Sequence, residues 1–190
     1  MRIGLKAKLL VGFGIMVVMI TALGLFGLLQ MNQINEKSTE IASNWLPSVE
    51  TVNRINTATS DLRIAELQHL TLTDEAAMRE WSGNVDATMA SIAELRATYE
   101  KLISSPEEQA LYDDFAKKYD AYLVQHQRGF SLSSSNQNDM ALQVYNGEAL
   151  KLFNEFSATL LKLVDLNSGG AAVGSAQGDE LFSLSSTLVI

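Results

Sequence analysis

Residues 45–70 read WLPSVETVNRINTATSDLRIAELQHL. Starting just upstream, Ile41, Trp45, Val49, Val52, Ile55, Thr59, Leu62, Glu66 and His69 recur at steps of three and four. That spacing returns side chains to one face of an α-helix at every turn. It predicts a long helix over about Asn32–Thr71 with this line turned to a core. Pro47 falls inside it, and a proline removes a backbone donor, so a bend is expected there. A second, weaker apolar face carries Leu46, Ile64 and Leu67. A helix with two apolar faces has two partners, here its own core and another subunit.

Upstream, residues 9–29 (LLVGFGIMVVMITALGLFGLL) contain no charge. At about 1.5 Å per residue such a helix covers roughly the 30 Å hydrocarbon core of a bilayer. Arg2, Lys6 and Lys8 precede it, which places the N-terminus in the cytoplasm and the chain after Gln30 on the far side. A cleaved signal peptide is the alternative. It would have a shorter apolar core and a small-x-small cleavage site, whereas this run ends in LLQMNQINEK. The expected division is a basic segment 1–8, a transmembrane helix 9–29, an outer domain 30–180 and the start of a second span at 181–190 (LFSLSSTLVI), with the chain a fragment of a longer receptor.

Downstream, Thr73 or Asp74 can cap a second helix over about Glu75–Ile103, with Met78, Trp81, Val85, Met89, Ile92, Leu95, Tyr99 and Leu102 inward. SSPEE at 104–108 is a stop-and-restart signal, with serine to cap, proline at the first position and acids in the first turn. A third helix is expected over about Glu107–Leu132, with Leu111, Phe115, Tyr119, Tyr122, His126 and Phe130 inward. SLSSSNQND then reads as a loop. A fourth helix begins near Asp139 and carries Val144, Phe153, Phe156, Leu160 and Leu163. Its weak stretch is Ser168–Gly178, SGGAAVGSAQG. Glycine costs a helix roughly 1 kcal/mol against alanine. We nevertheless expect helix there, because Leu181, Leu184 and Leu188 resume the period and small residues allow close packing beside the first helix. Four helices with short links define an all-α, antiparallel up-down four-helix bundle preceded by a transmembrane helix.

The chain holds no cysteine, which excludes disulfides, thiolate chemistry and Cys-x-x-Cys-His haem attachment. The first thirty residues carry +3 against −8 overall, which leaves −11 on the rest. So acidic a domain repels nucleic acid phosphates, and no nucleic acid partner is expected. No nucleophile stands beside a base and no phosphate-cradling glycine loop is present, so no enzyme activity is expected. Glu66 and His69 have the Glu-x-x-His spacing of di-iron bundles, but Leu123 stands where a second copy around His126 needs an acid. No metal or other cofactor is expected. Glu66 and His69 are expected instead to form a polar layer facing Tyr122 or His126.

The basic start, the immediate span, WLPSVETVNRINTATSDLR in the first outer helix and FNEFSATLLKLVDLN before the second span together resemble the ligand-binding region of methyl-accepting chemotaxis receptors. Related modules also occur on histidine kinases and cyclases. The resemblance implies a homodimer or higher oligomer in a bacterial cytoplasmic membrane, with its sensor domain in the periplasm. It implies a small-molecule ligand in the distal half of the bundle, held by arginines of the first helix and polar or aromatic groups near the start of the fourth. The matching positions are Arg54 and Arg63, with Tyr145 and Gln143. The residues themselves add Arg128 as a third cation, Tyr122 as a pocket wall, and Thr57 and Ser60 as hydroxyl contacts. Arginine offers a planar fork for a carboxylate, so the expected ligand is a small organic acid: a dicarboxylate, a tricarboxylate or an amino acid. A ligand-free adaptor that binds a partner protein is the competing possibility.

Overall fold

The structure, a computed structural model, describes Gly4–Val189, with side chains to Thr187. Arg2 and Ile190, ends of the expected basic flank and second span, lie outside the described residues. Helix α1 is Leu5–Glu40, a π-helical turn covers Ile41–Trp45, and α2 is Leu46–His69. Then come α3 (Glu75–Tyr99), α4 (Pro106–Ser134), α5 (Asn138–Asn146) and α6 (Glu148–Val189). The chain divides into two units: residues 1–43 with 171–190, and residues 44–170.

In the first unit, α1 buries no side chain. Leu9, Leu10, Phe13, Val18 and Ile20 are all exposed. A helix apolar all round and unburied requires an apolar solvent, and this one is long and apolar enough to cross a membrane.

The second unit is the bundle. Helices α3 and α4 start where the sequence places stop and start signals. Asp74 accepts from the Ala77 amide at 2.9 Å, and Ser105 accepts from the Glu108 amide at 3.1 Å with Pro106 at the first position. Each bond satisfies an amide that the helix start leaves without a partner. Glu108 reaches back to the Ser104 amide at 2.8 Å and is itself buried, accepting from the Tyr99 hydroxyl at 2.8 Å. The α4–α5 turn uses Asn136 at φ 55°, a left-handed position that asparagine tolerates.

Cross-helix pairs fix the directions. Between α2 and α3, Asn44 donates to the Leu102 carbonyl and Trp81 to that of Ala65, so one number rises as the other falls. Between α4 and the last helical pair, Thr159 meets Asp114 while Gly129 meets Tyr145. Both pairings are antiparallel. Along the diagonal, Glu66 meets Tyr122 and His69 meets Ser133, so α2 and α4 run parallel. This is the up-down bundle.

The core follows the expected line of α2: Val52, Ile55, Thr59, Leu62, Glu66 and His69 are all fully buried. A ladder of rings fills the centre. Tyr112, Phe115, Tyr119 and Tyr122 succeed one another along α4 at 5.7–6.3 Å, and Phe156 sits edge-on to three of them. Such spacings and tilts suit aromatic quadrupoles.

Four details differ from expectation. The disturbance at Pro47 takes the form of the π turn just before it, which widens the helix where the proline ring would crowd the carbonyl four residues back. Helix α3 stops at Tyr99 rather than Ile103, and α4 runs two residues past Leu132 into the serine-rich stretch. The fourth helix is broken at Gly147 into α5 and α6. The inward residues shift by one at two places, Tyr112 for Leu111 and Tyr145 for Val144. The Ser168–Gly178 stretch is helical, and Gly170 packs under the Trp45 ring, where a Cβ would come within 2.6 Å of it.

Candidate functional site

In the half of the bundle nearer the α2–α3 and α4–α5 turns, the core becomes polar. Glu66 is fully buried and accepts three bonds: from the Tyr122 hydroxyl at 2.6 Å, His126 Nδ1 at 2.7 Å and Arg63 Nη1 at 3.5 Å. Arg63 is itself buried, and its Nη2 donates to the Tyr145 backbone carbonyl. Its guanidinium also lies 5.7 Å from the Tyr145 ring centre. Glu66 thus has donors on both oxygens and a cation beside it, the partners a buried carboxylate needs.

Burial pushes the Tyr122 and Tyr145 hydroxyls well above their ordinary range, and the Glu66 charge pushes them further, so both stay protonated. Among the described residues the Tyr145 hydroxyl is buried without a partner, and it lies over Gly129, where a Cβ would come within 2.6 Å of the ring. Only glycine lets α4 and α5 approach this closely. The expected polar layer therefore includes Glu66, Tyr122 and His126. His69 turns instead to Ser133, at 2.6 Å from Nδ1, and burial holds its imidazole below its usual value, hence neutral at pH 7.

The residues singled out from sequence fall into three places. Arg63, Tyr122 and Tyr145 meet in the buried layer, with the Arg63 fork committed to Glu66 and the Tyr145 carbonyl. Arg128 and Gln143 meet in an open groove of about 200 Å³ at the α5–α6 break, with Gln125 and Leu132 of α4, Met140 and Val144 of α5, and Glu148 of α6. Arg54, Thr57 and Ser60 belong to neither. Arg54 is exposed with its Nη1 4.0 Å from Glu50, Thr57 is exposed, and the Ser60 hydroxyl donates to the Asn56 carbonyl at 2.8 Å. Arg54 and Arg63 therefore do not form one clamp within a subunit. On the second face of α2, Leu46 and Ile64 are each more than half exposed, while Leu67 is half-buried against the subunit's own core.

Glu148 and Met140 were not visible as site residues in the sequence. Their signal was the Asn146-Gly147 dipeptide, a helix breaker that brings the end of α5 and the start of α6 to one spot. Among the described residues no group of three or more histidines, aspartates and glutamates is placed to hold a metal ion.

A membrane-length apolar helix followed by an all-helical bundle with a charged inner layer is the build of a membrane-associated receptor module. The chain belongs to the family described as a four-helix-bundle sensory module for signal transduction, whose model matches residues 2–182. It is also 27% identical over 171 residues to a protein of Bacillus subtilis (strain 168) named "Putative sensory transducer protein YvaQ". That match covers 90% of this chain and 30% of YvaQ, so the chain spans under a third of that relative's length.

Proposed function

We propose that the chain is the sensory part of a bacterial chemotaxis receptor that binds a small organic acid outside the cytoplasmic membrane. Its likeness to a sensory transducer supports the chemotaxis role. In this reading residues 1–8 are cytoplasmic, 9–29 span the membrane, 30–180 form the periplasmic domain and 181–190 begin a second span.

The observation that carries the ligand assignment is the meeting of Arg128 and Gln143 in the groove at the Gly147 break. Arg128 supplies the fork for a carboxylate. Glu148 on the same groove repels a second carboxylate and attracts an ammonium, so among small acids an α-amino acid suits it best. Leu132, Met140 and Val144 take its side chain. Arg63 and Tyr122 act behind the groove. Arg63 ties α2 to the last turn of α5, so a ligand that moves α5 acts on α2 as well as on α6. Helix α6 runs without a break from Glu148 to Val189, and a small shift along such a helix is an established mode of switching. The ligand must favour one position over the other for any signal to follow.

Calorimetry with an amino-acid and small-acid panel tests this. A charge-assisted bond to arginine is worth roughly 1.5–3 kcal/mol, so Arg128→Ala should weaken a binding acid about ten- to a hundred-fold. Unchanged affinity in that variant would remove the groove from consideration.

We also propose that the chain assembles as a homodimer through the outer face of α2. Leu46 and Ile64 supply its apolar contacts, and Arg54 and Thr57 are exposed on the same helix. Ile64→Glu should lower self-association at least tenfold in sedimentation, with helix content unchanged; this is the effect of about 1.4 kcal/mol. The same assembly in variant and parent would place the interface elsewhere.

A further inference from the structure

A second groove lies on the other flank of α4. Asp86 and Met89 of α3 line it together with Leu123, His126, Gln127, Phe130 and Ser131 of α4, and it is an open groove of about 400 Å³. Among the described residues no lysine or arginine lines it.

His126 links this groove to the buried layer. Its Nδ1 lies 2.7 Å from Glu66 Oε1. Glu66 is already the acceptor toward Tyr122 and Arg63, so His126 Nδ1 is the donor in this pair, which is the Nδ1–H tautomer. Its other nitrogen, Nε2, then carries a lone pair. The ring is stacked on Phe130 at 5.6 Å, which leaves it little freedom to turn.

The groups facing the groove therefore share one character. Asp86 is an exposed carboxylate, His126 Nε2 is an acceptor, Phe130 adds aromatic surface and Met89 a polarizable sulfur. Gln127 and Ser131 can accept or donate. Leu123 adds apolar surface. Carboxylate and lone pair are each attractive to an N–H-bearing cation and unattractive to an anion. The strongly negative outer part of the chain raises the local concentration of cations as well.

We propose that the α3–α4 groove is a binding site for a small organic ammonium with an apolar or aromatic body. The ammonium sits between the Asp86 carboxylate and His126 Nε2, and the body lies on Met89, Leu123 and Phe130. This site is separate from the Arg128 groove and of opposite charge preference. Through Glu66 and Arg63 it reaches the same tie to α5.

The test uses the full chain in lipid nanodiscs with three matched probes: 2-phenylethylammonium, neutral 2-phenylethanol and anionic 3-phenylpropanoate. Binding is followed by the ¹⁵N resonances of labelled histidine. The chain has only two histidines, and His69→Gln assigns them. The expected result is a saturable shift of His126 Nε2 with the ammonium, at least tenfold weaker binding of the alcohol and no saturable shift with the carboxylate. Asp86→Asn, an exposed change that should leave the melting temperature unaltered, should weaken the ammonium at least tenfold, while Arg128→Ala leaves it unchanged. Equal binding of ammonium and carboxylate, equal affinity in Asp86→Asn, or no saturable response to the ammonium would each overturn the proposal.

Discussion

Glu66→Ala should lower the unfolding free energy of the bundle by about 3–5 kcal/mol, the range found when one partner of a buried ion pair is removed. The size follows from what is left behind. Without the carboxylate, the Tyr122 hydroxyl and His126 Nδ1 lose their acceptor. Arg63, itself buried, keeps only the Tyr145 carbonyl. A cation left without its counter-charge in the interior is the costly component, because solvation is not restored. For a domain of this size the loss corresponds to a melting shift on the order of 10–20 °C. Glu66→Gln should cost less, since its carbonyl oxygen still accepts although the charge is gone. Replacing Arg63, Glu66 and His126 together by well-packed apolar residues should be far milder than Glu66→Ala alone, because no unpaired charge remains. Urea unfolding followed by circular dichroism checks all three. A Glu66→Ala loss below about 1 kcal/mol would mean that water reaches Arg63 and the layer is not closed.

Phe156→Ala should cost a similar amount, about 3–5 kcal/mol, for a different reason. Phe156 is fully buried and its ring lies 5.3–6.0 Å from those of Phe115, Tyr119, Tyr122 and Phe153. Truncation removes the transfer energy of the ring and leaves a cavity that four large rings cannot jointly collapse into. Phe156→Leu should recover much of the loss, because it fills most of the volume without the aromatic edges. Since Tyr122 touches both Phe156 and Glu66, the two alanine changes share a neighbour. Their double variant should therefore depart from additivity. Two chemical melts and one cycle decide it, and strict additivity would separate the polar layer from the aromatic ladder energetically.

These two residues also show how unevenly the sequence discloses the molecule. Phe156 and Glu66 were both placed inward by helical period alone. Local chemistry settled two helix starts too: Asp74, Ser105 and Pro106 act through atoms within four residues of themselves. The membrane-length helix likewise needs no partner to be recognised, because its composition is uniform along its length.

What the sequence could not disclose lies where a side chain's environment comes from a distant part of the chain. Arg63 has the composition of a surface ligand contact, yet besides Glu66 three residues on, its partner is a carbonyl 82 positions away that exists as a free acceptor because α5 ends there. Tyr145 rather than Val144 turns inward, on one buried line with Ala141, Ala149, Phe156 and Leu160 that continues across the break at Gly147. Gly129 reads as a helix-weakening residue until the Tyr145 ring is seen against it. Period, caps and charge by themselves determined the all-helical bundle, the apolar helix before it and most of its core, because those depend on neighbours three or four residues apart. Only the tertiary structure decided which arginine is buried, which is open and which groove each cation or acceptor faces, because those depend on the packing of helices far apart in the chain.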